Sequence, residues 1–356
     1  MTSEGPGPGE PDAEHSNPRA PAEKPAAGAS AARELGRRAL EVESNSVLIA
    51  TIALIAFIGI VHPDFLAWGQ LKEVVQNSAY VGIIAAGMAF LISMREIDLS
   101  VGSMFGLALV ASALLIRGGM SPWLAAFIGI GLGCALGLFN AVLVQFIAIP
   151  AIVATLATLS MYRGLAQALS DGQQVTGLPA QNSFFTFLGG DKLGLPVSVW
   201  ILIVTAIVLT AVLRFTPYGY RVRAIGSNPE AATFSGISIP RVRVQTLILI
   251  GALSGLAGML GLAFFISGDP NIGSSFELQA IAAAVIGGTP LRGGSATVVG
   301  AVLGAILLSA VNSGLAYFDV PVNWSSFATG AVILTAVALD SLIRGRRRHR
   351  RTGLDL

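Results

Sequence analysis

Long stretches without a charged side chain run through most of this sequence, and they limit the folds that it can adopt. A helix needs about 20 apolar residues to cross the hydrocarbon core of a bilayer. With 53% apolar residues, 12% charged residues and a mean hydropathy of +0.72, the chain is too apolar for a soluble surface. The sequence therefore predicts an all-α membrane protein. Seven of its uncharged stretches each suit a single crossing: residues 44–61, 74–94, 99–116, 193–213, 244–268, 293–318 and 320–339.

Two further uncharged stretches have unusual lengths. Residues 118–162 are too long for one crossing, and Pro150 favours a turn because proline lacks an amide donor and restrains the residue before it. This stretch then supplies two spans, the second of which ends at about Leu169. Residues 278–291 number only 14 and end in a Gly-Gly-Thr-Pro sequence, which indicates a half-helix or a short crossing. Counted as a crossing, that segment brings the prediction to about ten transmembrane helices.

An even number of spans places both termini on one side, which the distribution of basic residues can test. With both termini in the cytoplasm, the inner segments carry sixteen arginines from Arg33 onward, and the outer segments carry four Lys and Arg residues. If residues 278–291 only dipped into the membrane, the C-terminal arginines would lie outside, so we reject that alternative. The first segment is rich in Pro, Gly, Ala and Glu without an apolar period, which is typical of disorder. The predicted units are a disordered cytoplasmic tail (residues 1–43), a membrane domain (44–343) and a basic cytoplasmic tail (344–356).

Residue counts exclude several functional classes. One cysteine, Cys134, rules out an intrachain disulfide, and three scattered histidines are too few for a histidine-based metal site. The only basic cluster follows the last apolar run, as a cytoplasmic anchor does, so we expect no nucleic-acid partner. The 42 glycines include small-residue patterns that favour close helix packing over hinges. These patterns are Gly129, Gly131, Gly133 and Gly137, and Gly251, Gly255, Gly258 and Gly261.

The predicted cytoplasmic connection 214–243 contains the signature of a short helix. Asn228 is a favourable N-cap, Pro229 suits the first helical position, and Glu230 adds a favourable charge to the first turn. Gly236 can adopt the left-handed conformation that ends a helix. The helix would have about two turns and a small apolar face, formed by Ala231, Phe234 and Ile237, which indicates that it docks into a partner. The alternative is an amphipathic helix that lies on the lipid headgroups.

This connection resembles the cytoplasmic loop of ABC importer permeases, in which Glu-Ala-Ala is followed by three residues and Gly. Residues 216–221, 224–232 and 235–237 are similar to the ribose/xylose/galactose branch of that family. Residues 97–103 and 286–294 match the same branch, and residues 154–164 do so more weakly. Arg95 and Glu96 depart from the family pattern, which usually has glycines before Ile-Asp-Leu-Ser.

The resemblance implies a permease that works as two copies, or as a copy and a paralogue, with two cytoplasmic ATP-binding subunits and an extracytoplasmic sugar-binding protein. It implies no enzyme activity and no cofactor in this chain, since ATP and Mg are bound by the partner. The residues agree, because none of the three lysines follows a glycine and a phosphate-binding loop is therefore missing. The resemblance gives ATPase coupling to Arg221, Arg223, Gly226, Asn228, Pro229, Glu230, Ala231, Ala232, Phe234 and Gly236.

Polar residues at membrane depth are costly and so are candidates for the solute passage or its gate. The alternative for Glu96 and Asp98 is local, namely an ion pair with Arg95 and a cap on the next helix through the Ser100 and Val101 amides. For the amide side chains the alternative is hydrogen bonding between helices. Arg163 is expected to extend to the outer surface. The candidates are Glu96, Asp98, Ser100, Asn140, Gln279 and Asn312.

The predicted function is therefore a permease subunit for monosaccharide import across the cell membrane. A permease for a branched-chain amino acid or a nucleoside is the first alternative. A membrane enzyme that uses Glu96 and Asp98 as an acid and base is the second, and an ion-driven transporter is the third. The polar outer segment 170–195 is either a docking surface for a binding protein or a solvated loop.

Overall fold

The computed structural model describes residues 45–321 without a gap, followed by residues 324, 327, 330, 331, 334 and 335. These residues belong to one compact unit. The predicted tails, residues 1–43 and 344–356, and most of the last predicted span lie outside the described residues.

Twelve helices and one short hairpin make up the described part of the chain. The helices are α1 (Asn45–Val61), α2 (Trp68–Ser93), α3 (Val101–Arg117), α4 (Pro122–Gln145), α5 (Ala151–Leu169), α6 (Ser183–Leu188), α7 (Val197–Phe215), α8 (Pro217–Ser227), α9 (Pro229–Phe234), α10 (Ile239–Phe265), α11 (Phe276–Ile286) and α12 (Val298–Tyr317). A 3₁₀ helix covers Pro63–Leu66, and strands β1 (Asp191–Lys192) and β2 (Leu195–Pro196) pair antiparallel.

The uncharged stretches predict these helices well. Each predicted span up to residue 318 contains one helix, and five of the helices are long and apolar enough to cross a membrane: α2, α4, α7, α10 and α12. The predicted turn is confirmed, because α4 ends at Gln145 and Pro150 directly precedes α5. The all-α membrane fold is thus confirmed, while the total of ten spans and the side of the termini stay predictions.

Helix α2 lies at the centre of the bundle. All of its residues from Ser78 to Ser93 are buried, and it packs against α12, α10, α11 and α7. Ser309 of α12 donates a hydrogen bond of 2.7 Å to the carbonyl oxygen of Val74, which fixes these two helices at that level.

The glycine patterns place two helix backbones in direct contact, as predicted. A Cβ atom added to Gly133 of α4 would collide with the carbonyl oxygen of Gly251, and one added to Gly251 of α10 would collide with that of Gly133. Gly137 lies equally close to the carbonyl of Leu247. Small residues allow this approach, which gives dispersion contacts in a solvent that offers no hydrophobic drive.

The predicted outer segment 170–195 is folded rather than a plain solvated loop. Val175 pairs with Gly268 through two backbone hydrogen bonds of 2.9 Å. Asn182 caps α6, whose Phe184 and Phe185 are buried. Lys72 forms an ion pair with Asp191 of the hairpin, so the segment is tied to α2 and to the residues that follow α10.

Helix α11 explains the short uncharged stretch. It has 11 residues, so its length is about 16 Å, roughly half of a hydrocarbon core. The ten residues before it, 266–275, form no helix. Arg163 does not extend to the outer surface as expected, because its Nη1 donates to the carbonyl oxygens of Pro270 (2.6 Å) and Ile272 (3.2 Å) in this segment.

Candidate functional site

The predicted short helix exists with the predicted caps. Asn228 ends α8 and begins α9, where its Oδ1 accepts a hydrogen bond of 3.1 Å from the Ala231 amide. Pro229 occupies the first helical position, and Gly236 has a φ of 77°, the left-handed conformation expected of it. We call α8, α9 and the residues up to Gly236 the coupling segment (217–236).

The outer face of the coupling segment is exposed. Phe234 is 92% exposed, and Glu230 and Ala231 are exposed as well. The predicted apolar face is partly wrong, since Ala232 is the alanine buried against the protein and Ile237 is half-buried. The helix ends at Phe234, so Ile237 lies beyond it in the next connection and does not belong to its face.

Two arginines assigned to coupling differ in environment. Arg221 is exposed, whereas Arg223 is half-buried. Burial, together with the neighbouring positive charge of Arg214, lowers the pKa of Arg223. An arginine keeps its charge despite such a shift, so this site favours an anionic or carbonyl partner.

The coupling segment contacts the membrane helices through Gly226. A Cβ atom on Gly226 would lie 2.6 Å from the Gly294 amide nitrogen and would collide with the Ser93 carbonyl oxygen. The Gly294 amide donates to that same carbonyl (2.9 Å). Arg95 adds hydrogen bonds from its Nε to the Gly226 carbonyl (2.7 Å) and from a terminal nitrogen to the Ser227 carbonyl (3.0 Å). The end of α2, the α11–α12 loop and the coupling segment therefore meet at one point, which we call the glycine junction (Ser93, Arg95, Gly226, Ser227 and Gly294).

Arg95 thus does not pair with Glu96, and the expected local ion pair is wrong. Glu96 instead pairs with Arg243 near the start of α10, and Arg243 also donates to Gln145 Oε1 (2.9 Å). Burial raises the pKa of Glu96, and Arg243 opposes this rise. A cavity of about 520 Å³ lies beside the pair, with Arg95, Gln145 and Pro150 also in its wall.

Asp98, Ser100 and Asn140 come together in a buried network. Asp98 is fully buried, and its Oδ1 accepts hydrogen bonds from the Ser100 amide (2.8 Å) and hydroxyl (2.7 Å). Asn140 Nδ2 donates to the other carboxylate oxygen (3.1 Å), and the Tyr162 hydroxyl donates to Asn140 Oδ1 (3.0 Å). Of the two amides expected to cap the helix on Asp98, the structure shows the bond from Ser100. The network joins the α2–α3 turn to α4 and α5.

The remaining candidates lie elsewhere. Gln279 and Asn312 are half-buried on α11 and α12. Glu96 and Asp98 have different partners, which separates the two carboxylates of the supposed acid–base pair. Within residues 45–321 and the six described positions beyond them, no group of three or more His, Cys, Asp or Glu could hold a metal ion.

Sequence reasoning missed Arg95, Arg243 and Gly294 as members of this site. Gly294 and Tyr162 did lie in matched motifs, so a signal was present for them. Arg95 and Arg243 have partners more than 90 residues away along the chain, which no local pattern indicates.

Comparison with known proteins gives consistent matches. The family described as branched-chain amino acid transport system, permease component, matches residues 70–337. The ribose import permease protein of Bacillus subtilis is 38% identical over 81% of this chain and 89% of its own length. The autoinducer 2 import system permease protein of Salmonella typhi is 35% identical over 84% of this chain and 86% of its own. The L-arabinose ABC transporter permease protein of Azospirillum brasilense is 32% identical over 86% and 90%, respectively. No solved structure matches.

Proposed function

Because the chain belongs to the family of branched-chain amino acid transport system permease components and is a transport subunit of the cell membrane, we propose that it imports a monosaccharide with energy from ATP. The family membership confirms the resemblance to ABC importer permeases. In this proposal a binding protein delivers the solute, and a second permease copy or a paralogue completes the passage. Separate cytoplasmic subunits bind ATP and Mg.

The glycine junction is the observation that carries the coupling mechanism. The exposed helix α9 is available to a socket on an ATP-binding subunit, and Gly226 leaves no space between the coupling segment and α2. Close-packed atoms resist compression, so a displacement of α9 is passed to α2 and to the α11–α12 loop. Closure of the ATP-binding subunits would then exchange the inward-facing and outward-facing arrangements of the permease.

The names of the relatives support a monosaccharide over the alternatives. Two of the three relatives are named for ribose and L-arabinose, which are both pentoses. The name of the family itself refers to branched-chain amino acids, so a permease for such an amino acid, or for a nucleoside, is the second candidate.

The other function classes have less support. Asp98 accepts hydrogen bonds from three neutral donors and Glu96 is paired with Arg243, so the two carboxylates are held by different partners rather than by each other, as a cooperating acid–base pair would be. An ion-driven transporter would use a carboxylate on a broken helix as its energy source, and it would have no use for an exposed coupling segment.

The test is uptake into proteoliposomes that contain the permease, its ATP-binding subunit and its binding protein. We expect ATP-dependent uptake of ribose or L-arabinose and none of leucine. Replacing Glu230 and Gly236 by Ala should abolish uptake and weaken copurification with the ATP-binding subunit. The matched control is Glu73→Gln, a change to an exposed residue near the start of α2. Unchanged transport in the Glu230, Gly236 double variant would contradict the coupling mechanism, and uptake of leucine alone would select the second candidate.

A further inference from the structure

The non-helical residues 266–275 connect α10, which is long enough to cross a membrane by itself, to the short helix α11. The Phe276 ring lies 5.2 Å from the Phe105 ring, which lies 6.4 Å from the ring of Tyr80. Tyr80 is in the middle of the 26 residues of α2. We infer that the start of α11, and with it the last residues of the non-helical segment, lies at the depth of the middle of α2, while Gly268 lies beside the predicted outer segment.

Other parts of the chain satisfy some of the polar backbone in this segment. Arg163 supplies donors to two of its carbonyl oxygens, at Pro270 and Ile272. The Val175 bridge pairs both backbone groups of Gly268. Irregular backbone at membrane depth is tolerated where it is buried in protein or lines a water-filled cavity. The side chains on the exposed side of this segment therefore indicate what surrounds it.

That open side is polar. Asn271, Ser274 and Ser275 are exposed there, next to Leu278, which is 52% exposed. By contrast, the large exposed side chains in the middle of α7 are all apolar, as expected for contact with lipid: Ile203, Val204, Ile207 and Val208. Polar side chains at this depth almost always face the interior of a bundle or a water-filled cavity. The 271–278 surface therefore does not face hydrocarbon.

Glu277 supplies an unused acceptor beside this surface. Its Oε2 is buried and has no hydrogen-bond partner among the described residues. A Cβ atom on Gly102 would collide with this oxygen, so the carboxylate lies directly over the start of α3. Arg163 is electrostatically coupled to Glu277, which keeps a counter-charge near the carboxylate. A half-buried carboxylate with a free oxygen is an acceptor for hydroxyl donors.

From these observations we propose that Ser274, Ser275 and Glu277 line the solute passage at the level of the bilayer centre and hydrogen-bond to the hydroxyl groups of a polyhydroxylated solute. The solute class rests on the proposed function, but the polar, water-facing character of the surface does not. Arg163 is a positioning residue in this site, because it holds the irregular backbone and does not need to touch the solute.

Thiol labelling tests access to water directly. The chain has one cysteine, so Cys134→Ala provides a background without thiols. In that background, Ser275→Cys should react with a membrane-impermeant thiol reagent at least about tenfold faster than Ile207→Cys, which lies on the lipid-facing side of α7. Ser274→Cys is the second variant if the strained φ of 67° at Ser275 does not tolerate the change. Labelling as slow as that of Ile207→Cys in both serine variants would overturn the proposal and would indicate that a second permease copy or lipid covers the surface.

Protection and transport test the contact with the solute. In the complete importer with binding protein and ATP, excess ribose should slow the labelling of Ser275→Cys, and rapid labelling at all ribose concentrations would overturn solute binding here. Glu277→Gln should lower the rate of ribose uptake about tenfold or more, because a charge-assisted hydrogen bond is weakened. Glu73→Gln is the matched control and should retain the wild-type rate.

The proposed function and the proposed hydroxyl site can be refuted separately. If the wild-type importer takes up no monosaccharide, the proposed function is wrong, while rapid labelling of Ser275→Cys would still support a water-filled passage. If wild-type uptake is normal and Glu277→Gln matches it, the hydroxyl site is wrong and the proposed function stands.

Discussion

Replacing Gly226 by alanine tests the contact that joins the coupling segment to the membrane helices. The new Cβ atom would lie 2.6 Å from the Gly294 nitrogen and 2.8 Å from the Ser93 carbonyl carbon. Both are backbone atoms, so no side chain can rotate away, and the coupling segment itself must move. Overpacking of this kind costs about 1–3 kcal/mol. The movement also breaks the charge-assisted bond from Arg95 to the Gly226 carbonyl, which adds about 1.5–3 kcal/mol. The expected loss of unfolding free energy is therefore roughly 2.5–6 kcal/mol.

The assay for Gly226→Ala is chemical unfolding of the purified permease in mixed micelles, together with ATP-dependent uptake in proteoliposomes. Gly131→Ala is the matched control, because a Cβ atom on this glycine of α4 meets nothing within 4 Å. Alanine in a helix interior is favoured over glycine by about 1 kcal/mol, so the control should be neutral or more stable than wild type. Equal stability of the two variants within about 0.5 kcal/mol, with normal uptake by Gly226→Ala, would refute the steric argument.

Three further changes probe single contacts. Arg243→Ala leaves Glu96 half-buried without its ion partner and should lower the unfolding free energy by about 1–3 kcal/mol. Glu96→Gln should cost less, because glutamine keeps a side-chain acceptor. A larger loss for Glu96→Gln than for Arg243→Ala would contradict the pairing. Asn140→Ala removes one donor from the fully buried Asp98 and an acceptor from Tyr162, so we expect the unfolding free energy to fall by about 2–4 kcal/mol. In a double-mutant cycle, the additional change Asp98→Asn should restore part of that loss. Phe234→Ala should change the stability of the isolated permease by less than about 0.5 kcal/mol because the ring is 92% exposed. The same change should weaken binding to the ATP-binding subunit about tenfold. Equal affinity of the variant and the wild type would show that the ring lies outside that interface.

Structural features that depend on residues close together in the sequence were predictable. Charges mark the ends of apolar helices, so the apolar helices up to residue 318 and the turn before Pro150 followed from the spacing of charged residues. The caps at Asn228 and Gly236 followed from backbone chemistry, since both residues act within four positions of themselves. The spacing of glycines in α4 and α10 also predicted close packing, although only the structure shows that Gly133 faces Gly251.

Features that depend on long-range contacts were not predictable. Arg95 and Glu96 are neighbours of opposite charge, so a local pair was a reasonable expectation, but helix packing brings Gly226 and Arg243 closer to the respective side chains. The apolar run 244–268 predicts a helix that extends three residues too far, because hydropathy does not report where backbone hydrogen bonding stops. Arg163 was misplaced because its acceptors are the backbone carbonyl groups of Pro270 and Ile272, more than 100 residues away along the chain.

The interlocked glycines of α4 and α10 limit how the permease can change shape. Gly133 and Gly251 place each backbone against the other, so neither helix can rotate about its own axis or slide by a turn without steric collision. Helix α10 begins five residues after the phenylalanine that ends α9. A displacement of the coupling segment is therefore expected to move α4 and α10 together as one rigid body. Models of alternating access in this protein should treat the two helices as a single moving unit.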